Sequence, residues 1–231
     1  MTAVASPGAY WATVTAAGGL GAALCLSARH HPGAWTRVVA RIIGLVLVAD
    51  ALSYTVALIV QGNWSAKTSL PLALCNVGVL VAAVACWWPL PLLVELTYFW
   101  GLAGTLQAVV TPDLSVAFPH LQFFQYVLGH TGIVLAALFL VAGEHIEPRP
   151  GAVWRVFTIT IGYSAFVGVI DGLTGANYMF LCKPPGEWTL LRLLGPWPWY
   201  LASAAAVGLV LFILLDAPFW PGRRRQALAA P

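Results

Sequence analysis

The sequence predicts an all-α membrane protein: a bundle of about seven transmembrane helices, with the N-terminus outside and the C-terminus in the cytoplasm. Three observations carry that prediction. Of 231 residues, 60% are hydrophobic and only 8% are charged, against about 25% charged and 45–50% apolar in an average soluble chain. Seven apolar segments can be read along the chain, and seven spans of about 20 residues each would use roughly 140 residues. The arginines and lysines collect in alternate loops. The remainder suffices for short connections, so a single transmembrane domain over residues 1–231 is expected. A cytosolic enzyme, a nucleic-acid binder and a secreted disulfide scaffold are excluded together.

In order, the apolar segments run approximately Tyr10–Ser27, Val39–Val60, Leu70–Cys86, Leu90–Val110, Leu121–Ala142, Trp154–Leu173 and Trp197–Asp216. The third is the shortest, and Pro71 suits its first turn because proline lacks only an N–H that has no helical partner there. Between the third and fourth lies Trp87-Trp88-Pro89-Leu90-Pro91, whose prolines end one helix and start the next. Its paired tryptophans suit a membrane interface. Gly18, Gly21, Gly101, Gly104 and Gly132 fit close helix approach. The four cysteines, Cys25, Cys75, Cys86 and Cys182, form no Cys-x-x-Cys pair. Cys75 and Cys86 stand about 16 Å apart along one helix and cannot bond to each other. The N-terminal segment lacks a basic region and a cleavage site, so no signal peptide is expected.

Orientation follows from the loops. One set carries Arg29, Arg37, Arg41, Arg149, Arg155, Arg223, Arg224 and Arg225; the opposite set carries only Lys67, Lys183 and Arg192. The excess of cations marks the cytoplasmic side, and Arg223–Arg225 also suits contact with anionic lipid. The outer side then receives Thr111-Pro112-Asp113-Leu114-Ser115, Phe118-Pro119-His120 and the long stretch from Gly175 to Tyr200. A connection of that length is functional or disordered, and its aromatic content argues against disorder. It suits an interfacial aromatic belt and a substrate-facing role equally.

Ionisable side chains inside hydrocarbon are costly unless paired or hydrated, so each is a site candidate. They are Asp50 in the second span, Glu95 in the fourth, His130 in the fifth and Asp171 at the outer end of the sixth. Neutral polar companions are Asn76, Gln107, Gln122 and Gln125. Counted from outside, Cys75 lies about 8 Å deep and His130 about 14 Å. Gln122, Tyr126 and His130 recur at i, i+4, i+8 and share one helix face. Gln107, Asp171 and Asn177 fall in the same outer half, which therefore holds a polar cluster. Glu95 lies nearer the cytoplasmic end, and Asp50 near mid-depth. Bland readings stand beside these: Cys75 as a packing hydrophobe, His130 as an interhelical hydrogen-bonding residue, and Glu95 and Asp50 as ties between helices.

Several motifs resemble the YwaF family of bacterial integral membrane proteins. They are Leu70-Pro71-Leu72-Ala73-Leu74-Cys75-Asn76, Glu95-Leu96-Thr97-Tyr98-Phe99-Trp100-Gly101-Leu102-Ala103-Gly104-Thr105-Leu106-Gln107-Ala108 and Thr111-Pro112-Asp113-Leu114. Phe118-Pro119-His120, His130, Asn177-Tyr178-Met179 and Gly195-Pro196-Trp197-Pro198-Trp199-Tyr200 add to the pattern, which covers roughly residues 40–215. That family is similar to a eukaryotic one, the transmembrane-protein-164 type, whose members are phospholipid acyltransferases using a Cys and a His. The resemblance implies Cys75 and His130 in those roles. The chain departs from the typical bacterial pattern at Ala73, where a His is expected, and at Asn76, where an acidic residue is expected.

The chemistry so implied is acyl transfer from a membrane phospholipid. The imidazole of His130 takes the Cys75 proton, and the thiolate attacks an ester carbonyl. Asn76, Gln107 or Gln122 is available to the oxyanion, with Asn177 and Tyr178 as further substrate contacts. Glu95, Asp113, Asp171 and Lys183 are supporting polar groups, Lys183 or Arg192 being placed to meet a phosphate. Neither a cofactor nor a metal is expected. The competing class is a non-catalytic lipid-binding or transport bundle. A metal-dependent hydrolase using His120, His130 and Asp113 or Asp171 is a third reading, weakened by the histidine spacing. The seventh span has no Lys for a retinal Schiff base, no Gly-x-Ser-x-Gly elbow occurs, and neither His120 nor His130 is followed by Asp at the His-x4-Asp spacing.

Overall fold

A computed structural model describes residues 5–112, 114, 116–184 and 193–229. Among these the secondary structure is helical throughout, with no strand. The helices are α1 (Pro7–His30), α2 (Ala34–Val60), α3 (Leu74–Trp87), α4 (Pro91–Val110), α5 (Leu121–Gly143), α6 (Ala152–Thr174), α7 (Trp199–Asp216) and a terminal α8 (Trp220–Ala229). Six of them are long and apolar enough to cross a membrane, the sixth counted as Trp199–Arg225; α3, with 14 residues, is the shorter apolar helix.

Packing follows from which faces lack charge. α4 and α5 are the most buried helices, and α1, α2, α6 and α7 surround them with mostly exposed outer faces. The core runs through Leu47, Ala82, Phe99, Ile133, Phe139 and Val156, drawn from five helices. Phe99 meets Phe212 with ring centroids 5.1 Å apart, which seats α7 against α4. The middle of α4, Trp100–Thr105, is a π-helical stretch, and so is the end of α5, Phe139–Gly143. Such stretches widen the turn and re-aim the side chains they carry.

At the arginine-rich end, charge is neutralised inside the bundle. Glu95 is 1% exposed, and both its oxygens are held by the guanidiniums of Arg149 and Arg155 at 2.9–3.2 Å, with the Arg149 backbone N–H at 3.1 Å. Arg37 pairs with Glu144, and Arg223 pairs with Asp216 at 2.8 Å. With Arg223 also donating to the Pro148 carbonyl, these links tie α2, α4, α6 and the α7–α8 junction to the connection around residues 144–151.

The opposite end is joined by hydrogen bonds rather than ion pairs among the described residues. Tyr10 of α1 donates to the Val109 carbonyl at 2.8 Å. Tyr178 anchors two places at once: its hydroxyl donates to Ala66 O and accepts from Leu70 N, both at 2.9 Å. α6 ends on Gly175, whose φ of +68° lies in the left-handed region that favours glycine. Beyond it, the Asp171 carboxylate accepts the Tyr178 N–H at 2.9 Å.

The structure matches the predicted all-α bundle of membrane-spanning helices and differs in boundaries. The third segment begins as helix at Leu74 rather than Leu70. The reason lies elsewhere in the chain: Tyr178 takes the Leu70 N–H, and Tyr163 donates to the Leu72 carbonyl at 2.9 Å, so those groups serve tertiary bonds. α1 and α2 extend beyond the expected ends into Arg29–His30 and Ala34–Val38, because helical hydrogen bonding continues past the apolar run. α7 starts at Trp199, after the prolines at 196 and 198.

Candidate functional site

Three helices build the site. α2 and α5 run side by side, with Leu47 against Gly132, Asp50 against Gly129, and Ser53 accepting from Gln125 Nε2 at 2.8 Å. α2 and α3 touch closely toward the arginine-rich end. There Arg37 donates to Cys86 O at 2.9 Å, and Arg41 lies over the Trp87 ring. A Cβ on Gly44 would stand 2.9 Å from the Ala83 carbonyl. Toward the other end both helices line a cavity of about 510 Å³. The α5 face carrying Gln122, Gln125, Tyr126, Gly129, His130 and Ile133 forms its back wall.

Cys75 and His130 both line this cavity, with Asn76 and Gln122. Cys75 is the second residue of α3, in the first helical turn. Its backbone N–H, like those of Leu74 and Asn76, has no carbonyl one turn earlier to bond. The Thr105 hydroxyl, on the π-helical stretch of α4, lies 4.0 Å from the Cys75 sulfur. Tyr163 and Tyr178 fix Leu70–Leu72, the approach to α3, and so fix where the thiol stands.

His130 is held on two sides. Its ring stacks on Tyr126 at a centroid distance of 4.2 Å, and Nδ1 meets the Tyr126 carbonyl at 2.7 Å. A carbonyl only accepts, so Nδ1 carries the hydrogen and Nε2 is left with its lone pair. Tyr126 is itself tied by its hydroxyl to Ala108 O at 2.9 Å. The arrangement brings one thiol and one imidazole to the same cavity, beside a helical turn whose amides lack intrahelical partners.

Other expected members lie apart from it. Gln107 is exposed on α4 and does not line the cavity. Asn177 folds its own loop, accepting from Cys182 N and Lys183 N and donating to Lys183 O, so Lys183 is held by backbone alone. Tyr178 and Asp171 secure the segment before Cys75 rather than facing the cavity. Glu95 is consumed by its two arginines at the far end. Asp113 and Arg192 lie outside the described residues. His120 caps α5, its Nδ1 accepting from Gln122 N at 3.2 Å. Among the described residues no three His, Cys, Asp or Glu side chains come together.

Two further polar residues of the spans, Asp50 and Gln125, join the cavity wall. Asp50 lines the cavity, and its carboxylate has no hydrogen-bond partner among the described residues. Gln125 lines it too, with Oε1 buried and unpartnered. The signal available was a carboxylate in mid-span with a Ser at i+3, which is equally the mark of a helix tie.

No curated protein and no solved structure matches the chain. A family model does match, over residues 4–216, which takes in all seven apolar helices and every residue of the cavity wall. The chain belongs to the TMEM164 family, and it is a multi-pass membrane protein.

Proposed function

We propose that the protein is a lipid acyltransferase or lipid esterase acting through Cys75 and His130 in the outer half of the bundle. The arginine-rich end is taken as cytoplasmic by the positive-inside rule. One observation carries the reading: a thiol on α3 and an imidazole on α5 with a free Nε2 line the same cavity. The resemblance to acyltransferases that use a Cys and a His supports it.

The chemistry runs in two halves. Nε2 of His130 takes the Cys75 proton as the sulfur attacks the ester carbonyl of a membrane phospholipid. The tetrahedral oxyanion is met by the free amides at the start of α3 and by Asn76 or Gln122, and each such donor typically contributes about 3 kcal/mol. The intermediate collapses to a Cys75 thioester, and the proton on Nε2 passes to the departing lysolipid oxygen. A second lipid hydroxyl then attacks the thioester, giving its proton to Nε2, and the thiolate recovers that proton. Water in place of the second lipid makes the reaction a hydrolysis.

The test is reconstitution of the full chain in vesicles containing a phospholipid with a labelled acyl chain. A hydroxylamine-sensitive adduct on Cys75 is expected by intact mass, together with label in a second lipid or as free acid. Cys75→Ala abolishes both. His130→Gln slows acylation by about 10²–10⁴-fold without moving the unfolding temperature. Full turnover by Cys75→Ala overturns the mechanism, and the absence of any adduct or turnover leaves a non-catalytic lipid-binding or transport bundle.

A further inference from the structure

We infer that the cleft between α2 and α3 is a lateral entrance through which one acyl chain of a bilayer ester lipid enters the cavity from the membrane. The inference takes the reacting ester from the Cys75–His130 reading, but the entrance itself rests on packing. A residue that lines a cavity and also stands on the bundle's outer surface marks where the cavity opens. Leu52 on α2 and Leu80 on α3 do both, at 60% and 40% exposure. Tyr54, Thr55 and Asn76 are exposed lining residues on the same two helices. None of the exposed lining residues belongs to α5, which closes the back. Pro71, on the approach to α3, is exposed and lining as well, so the opening faces outward between α2 and α3 and reaches the start of α3.

The chemistry of the walls selects the occupant. Among the described residues no Lys or Arg lines the cavity, so no cation inside it pairs with a phosphate. Val48, Val79, Leu80 and Ile133 offer hydrocarbon below Cys75. From Thr55 to Val48 the α2 wall extends about 10 Å along the helix axis. An apolar slot of that depth, open along one side to lipid tails, takes a chain that remains partly in the bilayer. The constriction at Gly44, where α2 and α3 meet, ends the slot.

Photo-crosslinking of the full-length Cys75→Ala protein tests this without requiring turnover. The probe is a phosphatidylcholine vesicle in which a small fraction of the lipid bears a diazirine on one acyl chain. Adducts are expected to concentrate on residues 48–55 and 76–83, above the lipid-facing side of α6 at residues 161–173. Leu80→Trp and, separately, Leu52→Trp narrow the opening and lower those adducts about tenfold, equivalent to about 1.4 kcal/mol; Val169→Trp on α6 leaves them unchanged. Unfolding temperatures near that of the parent establish that each variant is folded. Adducts spread evenly over all lipid-facing helices, or insensitive to both cleft variants, overturn the entrance, as do protein–protein crosslinks through the cleft, which would assign it to a second copy. Failure of the entrance with thioester still formed on Cys75 leaves the enzymatic reading standing. Cleft adducts without any thioester leave the entrance standing and sink the enzyme.

Discussion

Replacing Glu95 by Ala removes a carboxylate at the centre of five hydrogen bonds, three from Arg149 and two from Arg155. The carboxylate is almost wholly inaccessible, whereas the Arg149 and Arg155 side chains are 47% and 35% exposed. After the substitution the guanidiniums can rehydrate, but they are left as like charges at one site. Breaking a buried ion pair from one side costs 3–5 kcal/mol, and the exposed partners place this case near the lower figure, about 3 kcal/mol. At about 2–4 °C per kcal/mol for a chain of this size, the unfolding temperature falls by roughly 10 °C. Intrinsic tryptophan fluorescence during heating, on protein in detergent, measures it. Replacing Glu95, Arg149 and Arg155 together by Leu should recover most of the loss, since an apolar substitute for a buried ion cluster is often neutral or better.

The same variant separates structure from chemistry. Glu95 lies at the end of the bundle remote from Cys75, so below its unfolding temperature Glu95→Ala should form the Cys75 thioester at the parent rate. An unfolding temperature within about 2 °C of the parent would refute the assignment of Glu95 as a structural tie. It would return this residue to the candidates for function.

Three further outcomes follow from other contacts. Gly44→Ala drives a Cβ to 2.7 Å from Trp87 Cδ1 and 2.9 Å from the Ala83 carbonyl, and overpacking of that kind costs about 1–3 kcal/mol, read as a lowered unfolding temperature. Tyr178→Phe removes the bonds to Ala66 and Leu70, costs about 1–2 kcal/mol, and should slow thioester formation more than it alters binding of intact lipid. Cys182 is exposed in the loop after α6, so an impermeant maleimide applied to intact cells should label it, and labelling only after lysis would reverse the proposed orientation.

The seven-helix architecture was legible because each span is a long run with almost no charge, and because arginines punctuate alternate ends. The start of α3 was not. Leu70–Ala73 is as apolar as the helix that follows, and what keeps it out of the helix is the capture of its backbone groups by Tyr163 and Tyr178, 91 and 108 residues away. Periodicity put Gln122, Tyr126 and His130 on one face, and all three line the cavity. It does not say which face of α2 meets that wall, so the sequence alone cannot decide between a cavity and a helix tie for Asp50. Glu95 had the opposite difficulty. Its depth near a basic loop was readable, but only folding shows that Arg149 and Arg155 saturate both oxygens.

The location of the cavity has a cause in helix length. At 1.5 Å per residue the 14 residues of α3 cover about 21 Å, some 9 Å short of a hydrocarbon core about 30 Å thick. The shortfall is made up by the non-helical approach to Leu74, and irregular backbone at that depth survives only where protein partners or a polar cavity satisfy it. Tyr163 and Tyr178 supply partners on one side of the approach. On the other side stand Ser69, Asn76 and Gln122, lining the cavity. The short helix thus creates the demand for polar groups in the membrane and also leaves its own first turn, with free amides and Cys75, facing them. Cys86, in the last turn of α3, sits instead among intrahelical hydrogen bonds and packed alanines and does not line the cavity.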